Sequence, residues 1–192
     1  MGELPDKARL LREVTRYRDA SARLRPATTQ TPGPGQTSVW DFPRPPRVED
    51  VSKRLSVVQA GVTVAETARG KRVVETAGAP VYFFPPEDAR RDLLRQTATV
   101  TVCEWKGAAI YFDLIVEGGE SAEAAFSYPD PFDDLPEGYA ELAGWIAFYA
   151  SRTDACFVGE EQARPQPGGY YAGWVTDDLA GPIKGAPGTE GW

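Results

Sequence analysis

The sequence predicts a mainly β protein with flanking helices, in the α+β class, whose strands form a curled antiparallel meander. Short runs rich in Val, Ile, Thr, Tyr and Phe follow one another on tight turns, which leave no room for βαβ crossovers. Two further stretches have the 3–4 spacing of an amphipathic helix. A chain of 192 residues, 42% of them hydrophobic, is long enough to bury a core as one domain with appendages.

Residues 1–25 are predicted to form an amphipathic helix that runs from Pro5 to Leu24. Pro5 and Asp6 suit its first turn, because a missing N–H does no harm there and a negative charge meets the helix dipole. The apolar stripe recurs at 3–4 spacing through Leu10, Val14, Tyr17, Ser21 and Leu24. Such a helix is not stable alone, so it must pack on the main domain or mediate self-association.

Residues 26–38 are predicted to be a linker, because Pro and Gly remove the helix and strand options and nothing in the segment can form a core. The β domain is expected to cover residues 39–158. Residues 159–192 form a Gly/Pro-rich tail, in which Trp174 and Trp192 are apolar enough to hold it against the domain.

Strands are predicted wherever β-branched and aromatic residues cluster between turn residues. The first two form a hairpin across Ala60-Gly61, a pair of small residues that suits a two-residue turn. The predicted strands are Leu55–Gln59, Val62–Glu66, Arg72–Thr76, Val81–Phe84, Thr97–Val102, Ile110–Val116, Ala122–Tyr128 and Cys156–Val158.

Two helices are predicted inside the β domain. Pro85 and Pro86 open a short one that runs to about Leu94. The other covers residues 137–150, where apolar residues recur in a 3-4-3-4 pattern typical of a core-facing helix. Its predicted stripe is Tyr139, Leu142, Ala143, Ile146 and Ala150.

The residue counts exclude several kinds of site. With no histidine, the chain has neither Ser-His-Asp nor Cys-His nucleophilic machinery, nor the usual His-based metal sites. Its two cysteines, Cys103 and Cys156, are too few for a disulfide framework or a Cys₄ zinc site. We therefore expect free thiols, no cofactor and no zinc, and composition alone allows only an oxygen-ligated Mg²⁺ or Mn²⁺.

The net charge of −7 is unevenly distributed. Residues 1–25 hold seven basic and four acidic side chains, so the rest of the chain is strongly acidic and a poor binder of nucleic acid. The basic stretch suits either a solvated helix face or docking on an acidic surface. No apolar run is long enough to span a bilayer and no signal peptide is evident, which predicts a soluble, cytoplasmic protein.

Several segments, in order, resemble those of the DUF427 family, a domain of unknown function. Trp40–Glu49 (WDFPRPPRVE) resembles the family's W-x-[YF]-P-R-P-P-R-x-E opening, and Cys103–Tyr111 (CEWKGAAIY) resembles its C-x-W-K-G-x-A-x-Y core. The other matching segments are Arg72–Thr76, Pro80–Pro85, Phe126–Pro131 and Ile146–Tyr149. The resemblance spans about residues 39–158.

The resemblance implies a curled antiparallel β domain similar to β-tent or Mss4-like folds. Other β-tent domains bind small ligands or peptides in aromatic cages and often carry a Cys₄ zinc, which this chain lacks the cysteines to hold. A nucleotidyltransferase label is sometimes attached to the family. No Gly-Ser turn with an Asp-x-Asp pair supports it here, and Asp130, Asp133 and Asp134 are typical of a solubilising loop.

Eight residues are the candidate site. The notable stretch is the turn of Trp105, Lys106 and Gly107, which places an indole beside an amine. In a protein without histidine, Lys106 and Glu75 are the candidate catalytic, proton-handling pair. The candidate ligand-binding residues supply aromatic walls and anion-binding guanidinium groups; they are Arg44, Arg47, Tyr82, Trp105, Tyr111 and Tyr128.

Three interpretations follow from these residues. The first is a binding module that receives a small anionic or amide-bearing ligand or a peptide end. The second is an enzyme that uses Lys106 and Glu75 for acid–base or imine chemistry, which requires their head groups to converge. The third is a protein-interaction scaffold, in which Trp105 fills the core, Lys106 and Glu75 form a structural ion pair, and the terminal segments make the contacts.

Overall fold

The computed structural model of the chain describes residues 4–19, 23–189 and 191–192. The single α-helix in these ranges is α1 (Lys7–Thr15). The strands are β1 (Thr37–Ser38), β2 (Arg47–Asp50), β3 (Leu55–Gln59), β4 (Val62–Thr67), β5 (Lys71–Val74), β6 (Val81–Phe84), β7 (Leu94–Cys103), β8 (Gly107–Val116), β9 (Gly119–Ser127), β10 (Ile146–Phe148), β11 (Ala155–Val158), β12 (Glu161–Gln162), β13 (Arg164–Pro165), β14 (Trp174–Val175) and β15 (Leu179–Ala180).

Two antiparallel sheets build the body of the molecule. The larger has seven strands in the order β2-β5-β6-β10-β9-β8-β7, and the smaller has four in the order β12-β11-β3-β4. β7, β8 and β9 follow one another as a meander. The prediction of a mainly β fold built on antiparallel strands is therefore confirmed.

The main core lies between the two sheets. Leu55 and Val57 of β3 meet Phe84 of β6 and Leu114 of β8, all fully buried. Because side chains alternate along a strand, β6 sends Tyr82 and Phe84 into this core and Phe83 to the opposite face of the large sheet. That opposite face carries the second cluster, which includes Phe126 and Tyr128 and forms the floor of the cleft described below.

The predicted helix over residues 137–150 is wrong. The segment instead contains a 3₁₀ turn at Tyr139–Leu142 and strand β10. The strand lies in the middle of the large sheet, where Ala147 pairs with Phe83 on one side and Phe126 on the other. A central strand buries both of its faces, so its residues are continuously apolar and imitate a helical stripe over a short window.

Of the other two predicted helices, one is replaced by separate 3₁₀ turns and the other ends earlier than expected. The segment after Pro85 forms two 3₁₀ turns, Pro86–Asp88 and Arg91–Leu93, and the chain then enters β7. Helix α1 ends at Thr15, and residues 20–22 of the predicted helix lie outside the described residues. No helix among the described residues is long and apolar enough to cross a membrane.

Helix α1 packs on the body through only part of the stripe that the sequence predicts; Tyr17 and Leu24 lie beyond the helix and are exposed, at 67% and 94%. Leu10 and Val14 are buried against Ala108 and Phe132. Lys7 Nζ lies 2.8 Å from Asp130 Oδ1, so the basic segment contacts an acidic loop of its own chain.

The Gly/Pro-rich tail is joined both to the core and to residues 26–38, the segment predicted to be a linker. β1 pairs in parallel with β15, and Gln30 N donates to the carbonyl of Gly181. Trp174 is completely buried within the main core. The tail also brings Tyr171 and Lys184 to the edge of the cleft.

Candidate functional site

A cleft of about 470 Å³ opens over the face of the large sheet that is turned away from the main core. Strands β6, β7, β8 and β9 supply its floor and one side, and the tail supplies part of the rim. Aromatic residues dominate the floor. They include Phe83, Tyr111, Phe126, Tyr128 and Tyr149.

Six of the eight predicted site residues line this cleft. They are Arg44, Glu75, Trp105, Lys106, Tyr111 and Tyr128. The structure does not bring the other two to it. Arg47 lies on β2 and pairs with Glu49. Tyr82 points into the main core, where its ring centroid is 5.0 Å from that of Trp174, and its neighbour Phe83 takes the cleft position.

The turn between β7 and β8 positions Lys106. Cys103 pairs with Gly107 across the turn, and Gly107 adopts a φ of 101°, which favours glycine. The Lys106 ammonium lies 5.9 Å from the centre of the Tyr128 ring. Burial opposes the charged form of Lys106, but the sulfur of Cys103 and the carboxylate of Glu75 favour it, and the balance raises the pKa of the amine.

Glu75 is enclosed by cations. Its Oε1 lies 2.7 Å from Arg44 Nη1 and 3.1 Å from Lys184 Nζ. Burial alone would favour the protonated acid, but Lys184, Lys106 and Arg44 outweigh it and lower the pKa of Glu75. The carboxylate is therefore ionised and already paired, while Lys106 forms no ion pair with any described residue.

Trp105 is buried beneath the end of the cleft at which Lys106 lies. Its side chain is 2% exposed, and the guanidinium carbons of Arg18 and Arg44 lie 5.7 and 5.4 Å from its ring centre. Arg18 also donates from Nε to the carbonyl of Glu104 at 2.6 Å. Arg18 therefore ties the N-terminal segment to this turn.

Tyr128 supplies a neutral hydroxyl beside Lys106. Burial, together with the neighbouring Cys103, Tyr111 and Tyr149, raises the pKa of Tyr128 well above its ordinary value. The ring packs edge-on against Phe126 with centroids 5.9 Å apart. At physiological pH this hydroxyl is a hydrogen-bonding group and not a base.

Sequence reasoning missed the polar residues that other segments bring to the cleft. Lys184 comes from the tail, and Glu123 and Arg152 pair with one another beside Thr99, four residues along β7 from Cys103 at the turn. Lys184, Glu123 and Arg152 are far in sequence from the turn at 104–106, so no sequence motif connects them with it. Only the tertiary structure brings them to the same cleft. The sequence feature nearest to these residues is the pair Tyr170 and Tyr171 after Gly168-Gly169, two aromatic residues in a Gly/Pro-rich tail, which line the rim of the cleft.

The described residues provide no metal centre of the usual kind. Among them, no group of three or more His, Cys, Asp or Glu side chains is arranged to hold a metal ion. The groups that line the cleft are cations, carboxylates, phenols and aromatic faces.

Replacing Gly107 by alanine is expected to lower the free energy of unfolding by about 1–2 kcal/mol, because a Cβ is disfavoured at positive φ. The new methyl group would meet only ordinary contacts, at 3.6 Å from Asp130 O and Phe132 N, so backbone conformation is the main cost. Urea unfolding measures the change. Gly119→Ala is the matched control, since Gly119 has open space around it; equal losses in both variants would contradict the expectation.

A family model described as a domain of unknown function (DUF427) matches residues 47–159. The matched part includes β2 to β11 and therefore the turn with Trp105 and Lys106. Lys184 and the tyrosines of the rim lie outside it. A comparison with curated proteins found no match.

Proposed function

The chain belongs to the family described as a domain of unknown function (DUF427), and from its cleft we propose that it is a binding protein for a small ligand with an anionic group and an apolar part. An aromatic carboxylate and a peptide end are examples of such a ligand. The anionic group lies at Lys106, and the apolar part lies on the aromatic floor.

Lys106 is the single observation that carries this proposal. Among the cleft's described cations, Arg44, Lys184 and Arg152 each have a carboxylate within ion-pair distance, and Lys106 has none. A partly buried ammonium whose pKa is raised stays charged. Glu75 acts on Lys106 only from beyond ion-pair distance, so an incoming carboxylate would supply a direct partner in a place where water screens the attraction less than at an open surface.

The floor beside Lys106 suits a flat apolar group. The ring centroids of Tyr111, Phe126 and Tyr149 are 5.5 to 5.9 Å apart in neighbouring pairs. Aromatic side chains offer large contact areas at low conformational entropy cost. The protein's net charge of −7 does not attract anions in general, so the local cation has to provide the selectivity for a negative group.

Acid–base or imine chemistry at Lys106 and Glu75 has less support. Both residues line the cleft, but they form no ion pair with one another, and Glu75 is held by Arg44 and Lys184. An imine-forming lysine needs a neutral amine, which requires a lowered pKa. The pKa of Lys106 is raised instead.

A scaffold role has less support for a different reason. Trp105 is buried, as that interpretation expects, but the surface beside it is an open cleft and not a flat, filled one. Helix α1, part of the candidate contact element, packs Leu10 and Val14 on its own chain, which leaves Tyr17 and Leu24 as exposed apolar residues of that segment.

The proposal is tested by comparing 1-naphthoate with its neutral isostere 1-naphthamide in calorimetric titrations. The wild type is expected to bind naphthoate about tenfold more tightly, because only the carboxylate pairs with the Lys106 ammonium. In Lys106→Met the two affinities should become equal, with naphthamide binding retained.

Lys53→Met is the matched control, because Lys53 is exposed and does not line the cleft. It should keep the wild-type preference for naphthoate. Equal binding of the two compounds by the wild type, or a preference that persists without Lys106, would contradict the proposal.

A further inference from the structure

A pair of polar residues, Glu123 and Arg152, lies beside Thr99 in the part of the cleft away from Lys106. We call this pair the second pole of the cleft, and Lys106 the first. Glu123 adopts a φ of 48°, which is uncommon for a residue with a side chain. It lies where the pairing of β8 with β9 shifts register between Phe112 and Leu114. Its backbone N–H donates to Asp113 Oδ1 at 2.9 Å, which holds the unusual conformation in place. Such bulges redirect a side chain.

The two oxygens of the redirected Glu123 side chain have different partners. Oε1 accepts from the hydroxyl of Thr99 on β7. Oε2 lies 3.7 Å from Arg152 Nη1, which is too long for a hydrogen bond. Oε2 is therefore paired with Arg152 by charge alone, and it accepts no hydrogen bond from a described residue although Glu123 lines the cleft.

Arg152 stands beside this acceptor as a fixed donor. Its Nη1 donates to the carbonyl of Glu123 at 2.9 Å, and its guanidinium carbon lies 4.3 Å from the centre of the Tyr149 ring. These contacts hold the flat group in place and leave its other N–H groups without a hydrogen-bond partner among the described residues. The side chain remains one-third exposed (33%).

An adjacent donor and acceptor are the complement of an amide, which presents a C=O and an N–H. We propose that the cleft binds the carboxy-terminal end of an extended peptide, with its terminal carboxylate at Lys106 and an upstream amide group between Arg152 and Glu123. This inference rests on the proposed function, since it uses the same anion position at Lys106.

The distance from Lys106 to the pair Glu123 and Arg152 determines how long a peptide ligand must be to contact both. Thr99 holds Glu123, and Cys103 lies beside Lys106, so the poles are four residues apart along β7. At about 3.3 Å per residue, this corresponds to roughly 13 Å. An extended peptide of about four residues spans the same distance, and the aromatic floor between the poles suits an apolar side chain.

The test compares two peptides with free carboxylates, acetyl-Phe-Ala and acetyl-Ala-Ala-Phe-Ala, by calorimetry. The longer peptide is expected to bind the wild type about tenfold more tightly, because only it reaches the second pole. In Arg152→Met this ratio should fall to about one, while the affinity for acetyl-Phe-Ala stays within twofold of the wild type. A merely structural role for Arg152 would weaken both peptides alike.

Glu123→Gln is a second variant that keeps a hydrogen-bond acceptor for Thr99 but turns an amide N–H towards the ligand, and it should also reduce the ratio. Arg12→Met, at an exposed position on α1, is the matched control and should keep it. The inference alone is overturned if naphthoate binding depends on Lys106 but the two peptides bind equally. If naphthoate binding does not depend on Lys106, the proposed function fails as well.

Discussion

Replacing Trp174 by alanine is expected to lower the free energy of unfolding by about 3–5 kcal/mol, the range typical of a fully buried aromatic residue. Trp174 has no exposed surface, and its ring centroid is 5.0 Å from that of Tyr82 and 6.1 Å from that of Phe84. Its Nε1 donates to the carbonyl of Phe148 at 2.9 Å. The substitution removes this bond and leaves a cavity between the two sheets. Urea unfolding followed by circular dichroism measures the loss.

Trp174→Phe separates the two contributions. It keeps most of the apolar contact and loses the hydrogen bond, so a smaller loss of about 1–3 kcal/mol is expected. Tyr170→Ala is the control from the same tail, because Tyr170 is 79% exposed and its replacement should change stability by no more than about 0.5 kcal/mol. A Trp174→Ala protein as stable as the Tyr170→Ala protein would contradict the structure of the tail.

This prediction bears on how much of the chain folds as one unit. The family match ends at residue 159, yet Trp174 belongs to the same core as Leu55 and Phe84. The tail is also attached at a second point, where Lys184 N donates to the carbonyl of Ala77. We therefore expect a chain cut after residue 159 to lose a large part of its stability.

The fold class could be predicted because the strongest strands carry local signals. β7 alternates Thr with Ala or Val, and Ala60-Gly61 has the positive φ values of a two-residue hairpin turn. The helix over residues 137–150 could not be excluded locally, since a buried central strand and a helical stripe give the same short pattern. Only the pairing of Ala147 with strands on both sides decides between them.

The site could be predicted in part for a similar reason. Trp105 and Lys106 are consecutive residues of one hairpin turn, so a local signal is enough to place them together. Tyr82 adjoins Phe83, but the alternation of side chains along β6 turns it into the main core. Arg47 begins β2 and pairs with Glu49 away from the cleft, whereas Arg44 precedes that strand. Arg152 and Lys184 could not be inferred, because tertiary structure alone brings them to the cleft.

Replacing Glu75 by glutamine is expected to lower the free energy of unfolding at neutral pH by about 2–4 kcal/mol. The carboxylate compensates Arg44 and Lys184, whose side chains are only 10% and 6% exposed. Removing one partner of a buried ion pair leaves the other charges uncompensated, and the 23% exposure of Glu75 moderates the loss. Urea unfolding at pH 7 measures it.

The loss should depend on pH in a defined direction. The pKa of Glu75 is lowered from its ordinary value of 4.5, so its contribution to stability is complete above that value and disappears as pH falls through the lower, folded-state pKa. Glutamine has no such titration. The difference in unfolding free energy between the wild type and Glu75→Gln should therefore be constant above about pH 5.5 and shrink below pH 4.5.

Glu160→Gln is the matched control, because Glu160 is exposed and its replacement should have little effect on stability at pH 7. A difference for Glu75→Gln that stays constant from pH 7 to pH 3 would mean that ionisation of Glu75 does not stabilise the fold. A stabilised Glu75→Gln protein would mean that the cations at this end of the cleft tolerate one another, and the attraction of Lys106 for a ligand carboxylate would then lose its electrostatic basis.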